Sequence, residues 1–289
     1  MSGVLLAVLS AILYGTGVAF EHRRAADVPA SAAGRPRLVL LLLRQPLWLL
    51  GALCEVSGFA AHCAALGSGS LAVVQLLLSG SLIVSVAISS RLHRQSLTRG
   101  AWLAVSAVVI GVGGTVALLG TGAPSQQADS SGRLAAAALL SGLVAAPVVA
   151  AALLARGRSR PLLLGVAAGL VDACIAVLTM AFAHVAPHGV VAIATSWPTY
   201  ALLVGGLASL VVTQTAYQAD RPLVTLPMIA AVMPLASLLL GATVLGETAH
   251  LSGIRCVAVA ACVLLALLGL VTLARASASR RDRDDAAEP

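Results

Sequence analysis

The chain has 289 residues, 59% of them apolar and only 10% charged, with a formal net charge of +7. A soluble core needs far fewer apolar residues, whereas a helix crossing ~30 Å of hydrocarbon takes about 20 of them in a row. A soluble enzyme is therefore excluded and a polytopic membrane protein is expected. The positive charge sits in the gaps between apolar blocks and near the end of the chain, where it speaks for membrane orientation and lipid contact rather than for nucleic acid.

Lipid admits only helices or closed barrels. Barrel strands alternate apolar and polar residues, but blocks such as AAAALLSGLVAAPVVAAALLA are continuous. The expected fold is an all-α transmembrane bundle of about nine spans, near 3–20, 46–66, 70–90, 100–120, 132–155, 161–184, 190–215, 222–246 and 252–274. The connectors GSGS and APHG are short enough to make tight hairpins of the spans they join. Residues 121–131 (TGAPSQQADSS) read as a linker between an N-terminal half of four spans (1–120) and a C-terminal half of five (132–275). Residues 276–289 read as a charged, disordered tail.

All 18 basic residues are Arg. Fifteen of them cluster after the first, third, fifth and last spans (Arg23, Arg24, Arg35, Arg37 and Arg44; Arg91, Arg94 and Arg99; Arg156, Arg158 and Arg160; Arg275, Arg280, Arg281 and Arg283), while the loops at 67–69, 121–131 and 185–189 have none, the loop at 216–221 adds only Arg221, and Arg255 dissents. The positive-inside rule then puts the N-terminus outside and the C-terminus in the cytoplasm. With no Lys and no Asn, the composition suggests a GC-rich genome and so a bacterial inner membrane, and it removes Schiff-base chemistry and N-glycosylation. The five cysteines lie in apolar blocks without metal-ligand spacing and read as small packing residues.

The two halves echo each other. Residues 46–120 and 190–274 both give an apolar span, a second span, a connector and a Gly-rich span, but they start from opposite sides of the membrane. That is the pattern of an inverted repeat, which in secondary transporters places the binding site between the repeats.

Ionisable groups inside the bilayer are costly and usually face a cavity or a partner. Glu55 and Asp172 lie near the middle of the second and sixth spans. Glu55, Gly58 and His62 are spaced i, i+3, i+7 and share one helix face, where Gly58 admits a neighbouring helix or a substrate. A carboxylate and an imidazole on one stripe suit proton coupling or cation binding, and the alternative is a packed, hydrogen-bonded carboxyl. Gln75 and Gln214 are amides that orient a polar substrate or tie helices together. Glu21 and Glu247, near span ends, read as structural or gating groups. Gly165 and Gly169 form a close-packing GxxxG pattern beside Asp172. Pro227 and Pro234 make the eighth span the best candidate for a broken or moving helix, with a static kink as the alternative.

The run QPLWLLGALCEVSGFAAHCAALGSGSLAVVQLLLSGSLIVSVAISSRL resembles the first half of the drug/metabolite transporter superfamily, whose members carry two inverted EamA-type halves. The stretch TLPMIAAVMPLASLLLGATVLGETAHLSGIRCVAVAACVLLALLGL is similar to its C-terminal signature, with Pro234, Gly246 and Glu247 in place. Nine spans, an outside N-terminus and the segments AILYGTGVAFEHRRA and LWLLGALCEVSGFAAHCAAL look closer to NIPA-type magnesium transporters and their bacterial relatives, whose acidic residue in the second span matches Glu55.

The leading expectation is a secondary transporter of a small solute, working by alternating access with protons as the coupling ion. A Mg²⁺ or other divalent-cation permease, implied by the closer branch and using Glu55 and Asp172 as metal ligands, is the second reading. A non-transporting scaffold or lipid-handling protein is the third. No nucleotide-binding loop, catalytic triad, HExxH or CxxC occurs, so neither enzymatic activity nor a cofactor is expected. The expected partners are the bilayer and a small-molecule or ion substrate, and a homodimer stays open.

Overall fold

The computed structural model describes residues 2–66, 74, 77–93, 97–119, 131–155, 157–185, 188–219, 224–240 and 253–285. Among these, all regular structure is helical. The chain is a multi-pass membrane protein. Among the described residues, six helices are long and apolar enough to cross a bilayer, and a seventh span results if the bent pair Pro36–Leu42 and Pro46–His62 counts as one.

The first half begins with α1 (Ser2–Asp27), which ends where Arg23 and Arg24 turn back on Asp27 at 2.5 and 3.1 Å. Gly34, at φ +71, makes a turn that a side chain would strain. Then come α2 (Pro36–Leu42) and α3 (Pro46–Leu66), bent by 96° from each other. The bend has a local cause. Proline disfavours helical backbone in the residue before it and is well placed as the first residue of a new helix. Pro46 therefore stops one helix and starts the next. The basic loop expected here is thus partly helical: Leu38 and Leu42 are fully buried, packing with Val28, Ala32 and Trp48. After α4 (Ser81–Leu92) and α5 (Arg99–Leu119), the linker expected at 121–131 lies outside the described residues except for Ser131, the first residue of the next helix.

The second half contains α6 (Ser131–Leu154), α7 (Arg160–Val185), α8 (Val190–Thr195), α9 (Trp197–Ala219), α10 (Thr225–Leu240) and α11 (Gly253–Asp285). The span expected at 190–215 is interrupted at Ser196, which is extended at φ −90, ψ 142. Pro198 then sits in the first turn of α9, where the missing N–H costs no helical bond. Pro227 likewise falls in the first turn of α10, leaving Pro234 as the interior proline of that helix. A chain break is thus seen in the seventh span, and the described part of the eighth, Thr225–Leu240, is one helix with Pro234 inside it. Helix α11 continues to Asp285, through most of the segment expected to be a disordered tail.

Packing follows the small residues. Helix α1 lies against α3, α4 and α9, helix α7 against α6, α9 and α10, and α5 pairs with α11. A Cβ added at Gly111 of α5 would fall 2.5 Å from the Ala266 nitrogen and the Cys262 oxygen of α11, and one added at Gly269 would fall 2.7 Å from the Ala104 oxygen. Backbones this close need glycine, the usual means by which membrane helices gain contact when lipid is as apolar as the interface. Cys262 also fills the space over Gly114, its sulfur 2.8 Å from the added-Cβ position, in line with a packing role. Gly165 and Gly169 do the same for α7, lying under Met228 and Val232 of α10.

Candidate functional site

The site starts from two glycine–glutamate pairs of equal spacing, Gly17 with Glu21 on α1 and Gly51 with Glu55 on α3. A four-residue step puts both members of a pair on one helix face, and the two faces cross. A Cβ at Gly17 would lie 2.7 Å from the Gly51 oxygen and 2.6 Å from Cγ of Glu55. One at Gly51 would lie 2.9 Å from the Gly17 oxygen and 3.1 Å from Cγ of Glu21. Each glutamate stem therefore runs over the glycine of the opposite helix, which brings two carboxyls to one crossing. Gly58 continues the seam against Leu13 and Tyr14, and its carbonyl accepts a 2.8 Å hydrogen bond from Ser10 Oγ. On this stripe Gly58 admits a helix rather than a substrate.

The second half supplies the rest. Gln214 on α9, fully buried, donates from Nε2 to Glu21 at 2.5 Å. Ser209, also on α9, donates to Asp172 of α7 at 2.6 Å. Glu55 lies close enough to Glu21 and Asp172 for their charges to act on it, and all three act on Tyr217 of α9. Three carboxyls from α1, α3 and α7 thus lie within reach of one another's charge beside α9. No Arg forms an ion pair with any of them among the described residues. Glu21 and Asp172 each take a side-chain hydrogen bond, whereas Glu55 takes none from a described residue.

The structure therefore brings together Glu55, Asp172, Gln214 and Glu21. Glu21, read from sequence as a span-end group, is only 6% exposed and belongs to the centre of this group. His62, two turns beyond Glu55 on α3, makes no hydrogen bond or ion pair with any of the three among the described residues. Gln75 and Glu247 lie outside the described residues. Among the described residues, no three His, Cys, Asp or Glu side chains are grouped so as to hold a metal ion.

Sequence reasoning missed Gly17, Gly51, Ser209, Tyr217 and His22. His22 is fully buried; its ring meets His93 edge-on at 5.2 Å and Tyr217 at 5.3 Å. The repeated G-x-x-x-E spacing in two successive spans was the available signal for the first two. Ser209 and Tyr217 carried none, because neither breaks the pattern of its helix.

Beside the carboxyls lies a cavity of about 360 Å³ between α1, α4, α5, α9 and α10. None of the three acids lines it; Tyr217 is the residue that both lines it and senses them.

No protein-family model matches this sequence. No solved structure matches it. Over 277 residues, covering 95% of both chains, it is 26% identical to an uncharacterized protein of Corynebacterium glutamicum. The likeness is one of whole chains, and it brings no activity with it.

Proposed function

We propose that this protein is a secondary transporter that moves a small solute by alternating access, with protons as the coupling ion and the drug/metabolite transporter architecture as its frame. The observation that carries this reading is that Glu21, Glu55 and Asp172 lie within reach of one another's charge at the junction of the two halves, with no Arg ion-paired to them among the described residues. Buried acids are expensive in a membrane and are kept where they relay protons or bind cargo. Glu55, which takes no hydrogen bond from a described residue, is the group that exchanges the proton in this scheme. Glu21 and Asp172, each held by a donor from α9, link its charge to the second half.

The packing supports a repeat. Helix α1 stands to α3 and α4 as α7 stands to α9 and α10, and α5 meets its counterpart α11 across the middle. The six long helices, the bent pair and the two shorter apolar helices Leu77–Leu92 and Thr225–Ser237 make the nine spans of this reading. With nine spans and the Arg alternation, the C-terminus is cytoplasmic. A reporter fused after Arg275 is expected to be active only in its cytoplasmic form, and a periplasmically active fusion would overturn the topology.

Purified protein in liposomes tests the function. A solute-dependent proton flux is the expected result. A Mg²⁺ permease would instead quench a trapped Mg²⁺ dye on addition of the ion. Because Mg²⁺ takes oxygen ligands and keeps several waters, it would need carboxylates ringed around a hydrated ion, and the described residues hold no such group of three. Absence of every flux would leave a scaffold.

A further inference from the structure

We propose that the 360 Å³ cavity beside the carboxyls is a binding site for a small, electrically neutral, amphipathic organic solute that carries one O–H or N–H donor. The claim that such a molecule is the cargo rests on the transport reading; the claim that it binds does not.

The walls give the class. Two residues of α1, Gly15 and Val18, face four valines of α5 and the Leu226–Pro234 side of α10, and this lining is aliphatic. Among the described residues, no Arg, His, Asp or Glu lines the cavity. A charged solute would leave water with nothing to pair with, and the cost of an unpaired charge is far larger than any packing gain. A divalent ion fits worst, since it needs several oxygen ligands. The volume lies at the small end of the range for ligand pockets and suits a single-ring compound with a short chain.

The polar features lie on two walls. Ser79, Ser81 and Ser85 form a hydroxyl edge on the α4 side, with the phenol of Tyr217 lining the cavity from α9. On α10, Pro234 lacks the N–H that would bond to the carbonyl of Ala230, four residues earlier. Ala230 and Pro234 both line the cavity. Pro234 thus removes one helical hydrogen bond from the α10 wall, and the serine and tyrosine hydroxyls are the groups that meet a solute donor. The five helices come from both halves, so a molecule bound here touches the parts that alternating access moves against one another.

The test uses the purified full chain and three probes with one carbon body: 4-propylphenol (neutral donor), 4-propylbenzoate (anion) and 4-propylbenzylamine (cation), with MgCl₂ as a fourth. Saturable binding of 4-propylphenol alone is expected, read by equilibrium dialysis and by a rise in melting temperature. Ala230→Phe fills the cavity and should weaken binding by about tenfold or more. Leu103→Phe, on a side chain 72% exposed toward lipid, should not change it. Ser85→Ala serves if Ala230→Phe fails to fold: it removes one hydroxyl and should weaken 4-propylphenol about threefold or more. Equal binding of the charged probes, no saturable binding of the phenol, or a bound phospholipid that Ala230→Phe or Ser85→Ala displaces would each overturn the proposal. Binding without any flux leaves this site standing and overturns the transport reading. Proton-coupled flux of other solutes without phenol binding does the reverse.

Discussion

Glu55→Gln is expected to reduce solute-dependent proton flux to the level of empty liposomes at every pH, while shifting stability by no more than about 1 kcal/mol. The amide keeps the size and shape of the carboxyl over Gly17, so the α1–α3 crossing persists. What it loses is the ability to take up and release a proton. Glu55 takes no hydrogen bond from a described residue, so the substitution leaves no described donor without its acceptor. Asp172→Asn should have a weaker effect, because the Ser209 hydroxyl that donates to Asp172 still finds an oxygen there. Flux from right-side-out proteoliposomes and melting temperature, measured on the same preparations, check both parts. A Glu55→Gln protein that is folded and fully active would remove the proposed role.

Gly111→Val is expected to have the largest effect on folding. Even a methyl at this position would sit 2.5 Å from two backbone atoms of α11. A flexible side chain could move away, but backbone cannot, so the helices must separate. Overpacking of this kind costs about 1–3 kcal/mol or more, and here it strikes the seam between α5 and α11. Gly111→Val should lose its monodisperse peak in size-exclusion chromatography, or melt far below the parent. Gly142→Ala is the control. Nothing lies within 4 Å of its added-Cβ position on α6, and alanine in a helix interior is favoured over glycine by about 0.5–1 kcal/mol, so it should melt at or above the parent. Equal melting of the two variants would show that the α5–α11 seam is not as close as described.

The all-helical, multi-pass character was legible because a bilayer makes a simple demand, a long apolar run for each crossing. That demand is written plainly in helices such as Arg99–Leu119 and Arg160–Val185. It says little about breaks. The interruption at Ser196 and the short helix Pro36–Leu42 follow from prolines whose effect depends on where the helix starts, and hydropathy does not locate that point. The tail differed for another reason. Residues 276–285 have the charge of a solvated segment but continue the preceding helix without a glycine or proline to stop it.

The site was half legible. Glu55, Asp172 and Gln214 stand out as polar residues in apolar runs, and the structure groups them with Glu21. The depth of Glu21 was hidden because only its neighbours on α3 and α9 show that a residue six places before the end of a helix is buried. The crossing of Gly17 and Gly51 was hidden for the same reason: spacing along one helix identifies a face, but not which other face it meets. The cavity lies one step further off, since its lining combines residues from five helices with no shared motif.

The central claim is that the three carboxyls form the proton-exchanging centre of a transporter. The most direct measurement is the internal pH of proteoliposomes carrying a pH dye, recorded for the parent and for Glu55→Gln as neutral, anionic and cationic solutes and then Mg²⁺ are added. The account predicts a proton movement that follows a solute in the parent and is absent in Glu55→Gln. A movement of equal size in both proteins, or a Mg²⁺ flux with no proton movement, would contradict it.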